Sequence, residues 1–212
     1  MRVVKTAEER KNEILDVAEQ LFAEKGFDNA STNDIINQIG IARGTLYHHF
    51  KSKEEILDAI VDRMTREGIA RAKAIVSDKS MPLMDRLTGV IMALNVSSEA
   101  KEEVLEQIHK PQNALLHQKM QERLLSGVVP VIAGLIGEGN ETGAFASKYP
   151  AEAAEMIMIY ASVAFDELAQ LKPEEMQRKG MAFICNVERI LGARENSLAK
   201  PIMNILFRKM NE

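Results

Sequence analysis

The chain has 212 residues, is 46% hydrophobic, and sets 27 Lys and Arg against 31 Asp and Glu for a net charge of −4. That is enough to bury one sizeable core, or a small domain sharing a helix with a larger one. A single cysteine, Cys185, excludes an internal disulfide, and no apolar run approaches the roughly 20 residues needed to span a bilayer. Met1 to Thr6 lead straight into a charged stretch, so no signal peptide is expected, and the expectation is a soluble, cytoplasmic protein.

The pattern is helical throughout, with no convincing alternation of period two. The first helix is predicted over about Ala7 to Lys25, with Ile14, Ala18, Leu21 and Phe22 on one face and Gly26 as a left-handed cap. Ser31-Thr32-Asn33-Asp34 reads as a capping box, in which Ser31 caps the amides and Asp34 reaches back. Ile35, Ile36 and Ile39 then form an apolar stripe, and Gly40 permits a tight turn.

The run Arg43-Gly44-Thr45-Leu46-Tyr47-His48-His49-Phe50 has two faces. At about 100° per residue, Leu46 and Phe50 fall on one side, and Gly44, Thr45 and His48 fall opposite, flanked by Tyr47 and His49. A glycine inside so short a helix costs about 1 kcal/mol against alanine, which is best explained by a surface that must approach closely. Between Asp34 and Glu54 there is no acidic residue, although the chain is acidic overall. The two faces and the acid-free window point to a helix-turn-helix whose outer side meets DNA. Ser52-Lys53-Glu54-Glu55 reads as a second capping box, and a lysine in a first turn opposes the helix dipole, so a phosphate near Lys53 is expected.

From Ser52 a long helix carries Ile56, Leu57, Ile60, Val61 and Met64 towards Ile75, linking the first unit to the second without a flexible linker. Pro82, Pro150 and Pro173 sit where a first-turn proline starts a helix, whereas Pro111 and Pro130 mark a break and a kink. Gly134, Gly137, Gly139 and Gly143 are expected to form a loop before the last helices. The stretch from Val96 to Lys110, rich in Glu and Lys, is expected to be largely surface.

Met81, Met84, Met92 and Met120, with Leu87, Ile91, Leu116 and Leu124, suit an adaptable apolar cavity or plain core. Asn95, His109, Asn113, His117 and Tyr160 are the polar candidates for orienting a ligand there. Ala153 to Leu171 is apolar nearly all round, the pattern of a helix buried on more than one side. The next helix, from Pro173, shows Met176, Gly180, Phe183, Ile184, Val187 and Leu191 as one stripe. Paired with a second copy, the two would form a four-helix dimer interface, with Met158, Ala161, Phe165, Gly180, Ile184 and Val187 as its expected residues. Cys185, among Met181, Phe183, Ile184 and Val187, is expected to be buried.

Phe27, Ser31 to Ile36 and Gly40 to Lys53 together resemble the N-terminal domain of the TetR family of bacterial transcriptional regulators, a resemblance over the first quarter to third of the chain. It implies an all-α homodimer, with a helix-turn-helix DNA-binding domain over 1–52 and a helical ligand-binding and dimerisation domain over 53–212. The implied DNA-contact positions are Thr32, Arg43, Gly44, Thr45, Tyr47, His48, His49 and Lys53. Ala42 departs from the family's frequent Ser, which removes a cap worth about 0.5–2 kcal/mol. The implied partners are double-stranded operator DNA, a small apolar inducer and a second copy of the chain, with no membrane.

A competing reading is a helical-bundle metal protein, because Glu106-Gln107-Ile108-His109 is a Glu-x-x-His. Di-iron bundles need two such motifs and two further glutamates, and this chain has one. A pure interaction module would bind no specific DNA. No Gly-rich phosphate loop, nucleophile elbow or triad is present, so no catalytic residue, metal or cofactor is expected.

Overall fold

The computed structural model describes residues 5–94, 99–168, 172–199 and 202. Among the described residues there are helices and turns and no strand. The α-helices are α1 (Ala7–Lys25), α2 (Thr32–Ile39), α3 (Arg43–His49), α4 (Lys53–Ser77), α5 (Leu83–Leu94), α6 (Glu99–Ile108), α7 (Ala114–Glu141), α8 (Pro150–Leu168) and α9 (Pro173–Leu191). A single 3-10 turn over Pro111–Asn113 precedes α7. Packing divides the chain into two compact units. The first runs to Glu67 and takes in Val96–Met120, and the second takes Gly68–Asn95 and the chain from Gln121 on.

In the first unit α1 begins at a capping box. The Glu9 amide donates to the Thr6 hydroxyl at 3.2 Å, and the Thr6 amide donates to the Glu9 carboxylate at 2.7 Å. The helix ends where its sequence says it should, but Gly26 has φ 79° and ψ 149°, a positive φ outside the left-handed helical well expected of it. Ile14, Ala18 and Phe22 of α1 are buried with Ile35 of α2, Leu46 of α3 and Ile56 and Ile60 of α4. Val104 and Ile108 of α6 join the same core and are fully buried. Within the part of the Val96 to Lys110 stretch whose side chains are described, Glu103 to Lys110, Val104, Gln107 and Ile108 are buried, so this part is not mostly surface. Val104 and Ile108 make this end of α6 an apolar edge against α1.

The second unit has its own core, built from Ala72 of α4, Leu87 and Val90 of α5, Val128, Ile132, Leu135 and Ile136 of α7, Ala153 and Ala154 of α8, and Ile184, Val187 and Leu191 of α9. Pro130 lies inside α7 without ending it. The expected glycine loop is corrected too: Gly134, Gly137 and Gly139 lie inside α7, and only Gly143 (φ +74°) occupies the turn. Packing overrides propensity at Gly139, because a Cβ there would lie 2.0 Å from Cδ2 of the buried Phe145 ring. Asn140 closes the turn by pairing with Ser147, donating to its carbonyl at 2.8 Å and accepting its amide at 2.9 Å.

The stretch Pro111–Glu141 is, by length and composition, long and apolar enough to cross a membrane, with a mean hydropathy of 1.2 in its best window, contrary to the expectation from sequence. Within the second unit, however, Val128, Ile132, Leu135 and Ile136 of this helix form core. Its charged end is also engaged. Arg86, only 3% exposed, donates from Nη1 to Glu138 at 2.8 Å, pairs again through Nη2, and donates to the carbonyls of Met81 and Val76. Arg86 and then Lys79 hold the Glu138 carboxyl at a pKa of about 2.

Gly139→Ala is expected to destabilise the protein by about 1–3 kcal/mol, because the methyl must displace the Phe145 ring from a filled core. Urea unfolding measures it, and an unchanged midpoint would show that Phe145 is free to move.

Candidate nucleic-acid interface

The start of α2 and its turn into α3 are fixed by local chemistry. The Ser31 hydroxyl accepts the Asp34 amide at 3.2 Å, and the Asp34 carboxylate accepts the Ser31 amide at 2.9 Å. Ser31, and then Lys25 at 3.1 Å, hold the Asp34 carboxyl at about 2. Asp34 therefore stays ionised, and the cap intact, through any physiological pH. Gly40, at φ 73° and ψ 37°, turns the chain, and its amide closes α2 on the Ile36 carbonyl at 2.9 Å. Ala42 then starts α3 with no side-chain cap.

Two buried side chains orient α3. Leu46 is fully buried and Phe50 is 2% exposed, so the opposite face must point outwards. Arg43, Gly44, Tyr47 and His48 are exposed there, and Thr45 and His49 are half-buried. A Cβ built on Gly44 meets nothing within 4 Å, so nothing in the chain itself calls for glycine at this position. Thr32 of α2 reaches the same surface, its hydroxyl 3.3 Å from that of Tyr47, and the Arg43 guanidinium lies 5.3 Å from the centre of the Tyr47 ring. The Thr32 hydrogen bond, and then Arg43, lower the Tyr47 pKa. Partial burial, and then the neighbouring His48, Lys11 and Arg10, lower that of His49. The surface gathers the Arg43 guanidinium with the hydroxyls of Thr32 and Tyr47 and two imidazoles.

A family profile described as bacterial regulatory proteins, tetR family, matches residues 14–60, and one described as a tetracyclin repressor-like C-terminal domain matches residues 95–185. The chain belongs to the TetR family. The HTH-type transcriptional repressor KstR2 of Mycobacterium tuberculosis is 36% identical over 125 residues, which cover 59% of this chain and 58% of that protein. The match thus spans a little under three fifths of this relative's length. The fatty acid metabolism regulator protein of Bacillus subtilis is 28% identical over 134 residues, covering 62% of this chain and 68% of that protein. The crystal structure of a TetR-family transcriptional regulator from Pectobacterium atrosepticum, 23% identical, shares the fold with a TM-score of 0.63 over 96% of this chain and 94% of that one.

Within this TetR-family frame Lys53, expected near a phosphate, has partners inside the protein. Its ammonium donates to the carbonyls of Phe27 at 2.6 Å and Ala30 at 2.9 Å, and lies 4.3 Å from the centre of the Phe27 ring. Those carbonyls give a lysine in a first turn partners within the protein. The second capping box is also modified: Ser52 accepts the Glu55 amide at 3.2 Å, but the Glu55 carboxylate reaches past it to the Lys51 amide at 2.6 Å.

The ligand candidates of the TetR-family second domain are distributed over both compact units. His109, Asn113, His117 and Met120 belong to the first, and Met84, Met92 and Tyr160 to the second. Met92 and Tyr160 are exposed, Met84 packs on the second core and Met120 on the first, and Asn95 lies outside the described residues. The His109 and His117 rings lie 4.8 Å apart, and the Asn113 amide donates to the Gln107 carbonyl at 2.7 Å. A hollow of about 260 Å3 in the first unit is lined by Asn113, Leu57, Leu115 and Leu116. A second, of about 310 Å3, lies in the other unit beside Pro130 and Val129. Glu106 and His109 are both exposed, and among the described residues no three His, Cys, Asp or Glu side chains gather as a metal site.

Three of the expected dimer residues, Gly180, Ile184 and Val187, need correction. Ile184 and Val187 are 1% and 6% exposed within the protomer core, and Gly180 is buried beside them. The α9 stripe read as an interface is the side this chain uses for itself. Met158 and Ala161 are half-buried, and the Phe165 side chain lies outside those described. What faces outwards is Met156, Ile159, Tyr160 and Val163 on α8, at helical spacing, with Met181 on α9. Cys185 is exposed rather than buried.

Two substitutions separate fold from recognition. Gly44→Leu should leave thermal stability unchanged or slightly raised, because helix propensity improves by several tenths of a kcal/mol, and yet abolish operator binding in a band-shift assay. A variant that binds normally would show that this face does not meet DNA. Lys53→Met should lower stability by about 1–3 kcal/mol through the orphaned carbonyls, and leave the slope of log affinity against log salt unchanged. A slope reduced by about one to two per dimer would return Lys53 to the phosphate backbone.

Proposed function

We propose that the chain is a sequence-specific transcriptional regulator, most simply a repressor, and not an enzyme. On this reading a homodimer binds a palindromic operator and a small apolar ligand releases it. One observation carries the reading: α3 presents Arg43, Tyr47, His48 and an unobstructed Gly44 from a stretch of sequence, Ile35 to Lys53, without acidic residues, in a chain of net charge −4. Arg43 can bond a guanine edge in bidentate geometry. Thr32 and Tyr47, already hydrogen-bonded to each other, suit the phosphates that set register. The repressor named among the relatives supports the direction of control, and the relative named as a regulator of fatty acid metabolism supports an apolar ligand.

TetR-family regulators act as dimers on operator DNA with small-molecule ligands. In this chain the exposed stripe of Met156, Ile159, Tyr160 and Val163 on α8 is the surface offered for the second copy. A two-fold dimer would place its recognition helices in successive major grooves, with half-sites about 34–36 Å apart or a multiple of that. Ligand binding lowers operator affinity only if it favours a state in which those helices are wrongly spaced. Selecting bound duplexes from a random pool with the purified chain tests this: recovery of a palindrome is expected, and recovery of no preferred sequence refutes it.

Ile159→Glu tests the dimer. The side chain is 46% exposed in the protomer, so the variant should fold with little change in stability. It should sediment as a monomer and lose operator affinity by at least about tenfold, because each half-site supplies only part of the contacts. A variant that stays dimeric would move the interface off α8.

A further inference from the structure

The loop from Gly26 to Ala30 joins α1 to the cap of α2, and it is held from both sides. On one side Lys53 gathers the carbonyls of Phe27 and Ala30. On the other, a carboxylate oxygen of Glu103, 76 residues further on, accepts the Phe27 amide at 3.0 Å. The same oxygen accepts the side-chain amide of Gln107 at 2.9 Å, and Gln107 is only 3% exposed, so the carboxylate is fixed before it meets the loop. Lys110, just past the end of α6, pairs with Asp28 at 3.0 Å. Phe27 is itself 7% exposed, its ring set edge-on to Phe22 at 5.0 Å, so a shift of the loop would disturb the core under α1.

We propose that Glu103 is a positioning residue for DNA recognition, acting through the Gly26–Ala30 loop on the start of α2. This rests on the DNA-binding reading above. The link is short: Ala30 is followed by the Ser31 cap, and Thr32 next to it holds the Tyr47 hydroxyl at 3.3 Å. A loop that slides carries Ser31 and Thr32 with it, and Tyr47 then meets DNA at the wrong height. Sequence-specific contacts depend on position to within a fraction of an ångström, whereas non-specific binding depends mainly on charge. Loss of the latch therefore lowers specific affinity and spares non-specific affinity. Simple loss of folded protein would lower both together.

The test uses the full chain, a duplex recovered by selection and a random duplex of the same length, with thermal unfolding measured in parallel. Glu103→Ala should lower the ratio of specific to non-specific affinity by about tenfold, with the salt slope unchanged, as for a lost hydrogen bond to a charged acceptor. Glu103→Asp keeps charge and solubility but withdraws the carboxylate by one methylene, and should lose the ratio similarly, so the test survives if the alanine variant unfolds. Glu103→Gln still presents an oxygen to the Phe27 amide and should restore most of the ratio. Amide exchange at Phe27 should quicken in the Ala and Asp variants and stay slow in Gln. A folded Ala or Asp variant with the wild-type ratio overturns the proposal, as does a Gln variant that fails to restore it. A wild-type chain with no preferred sequence refutes the regulator reading, and this role with it. A high wild-type ratio with unaffected variants refutes only the latch.

Discussion

A seven-residue helix cannot hold itself together in water. Isolated helices shorter than about 12 residues are marginal even with favourable sequences, and α3 contains a glycine and starts from an uncapped alanine. Its existence depends on Leu46 and Phe50, both in the first unit's core. Burying two such side chains contributes roughly 1.5–3 kcal/mol each, enough to offset the glycine and the missing cap. The outer face is thereby released from any structural duty. Arg43, Gly44, Tyr47 and His48 can be chosen for what they meet outside, because nothing inside needs them.

What the sequence made legible follows the same division. Signals that act within one turn could be read directly: the ends of α1, the Ser31–Asp34 capping box, the Gly40 turn and the inner and outer sides of α3. Signals that depend on a neighbour could not. Gly139 looks like a loop residue until Phe145 is laid against it, and the charged stretch around Glu103 looks like surface until Val104 and Ile108 are seen in the core of α1. The stripes of α8 and α9 show the limit most clearly. Each helix carries apolar residues on more than one side, and only the packing shows that Ile184 and Val187 serve the protomer and Ile159 and Val163 the outside. Hydrophobic periodicity locates a stripe, and carries no information on which chain will cover it.

Lys53 shows how the same residue supports two physical readings. A cation in the first turn of a helix is unfavourable by the dipole, which invites an external anion as the explanation. The carbonyls of Phe27 and Ala30 supply partial negative charge from within, at 2.6 and 2.9 Å, and the Phe27 ring face adds to it at 4.3 Å. The compensation is the tertiary structure itself. Side chains reaching into the loop from α4 and α6 pin opposite polar groups of it, carbonyls on one side and an amide on the other.

That arrangement bears on why α6 belongs with the N-terminal unit at all. An interface made only of Val104 and Ile108 against α1 would resist separation but not sliding, because apolar contact is non-directional. A carboxylate on a backbone amide fixes the register, since a displacement of one residue would leave the Phe27 amide without its acceptor, at a cost of about 1–3 kcal/mol if that donor stays buried. Apolar burial thus holds α6 against α1, and Glu103 decides where. The sequence separates Glu103 from α3, which ends at His49, by more than the length of the whole 1–52 domain. The hydrogen bonds bring it within a few residues of Thr32, so the geometry presented to DNA depends on a helix that the recognition motif alone would not include.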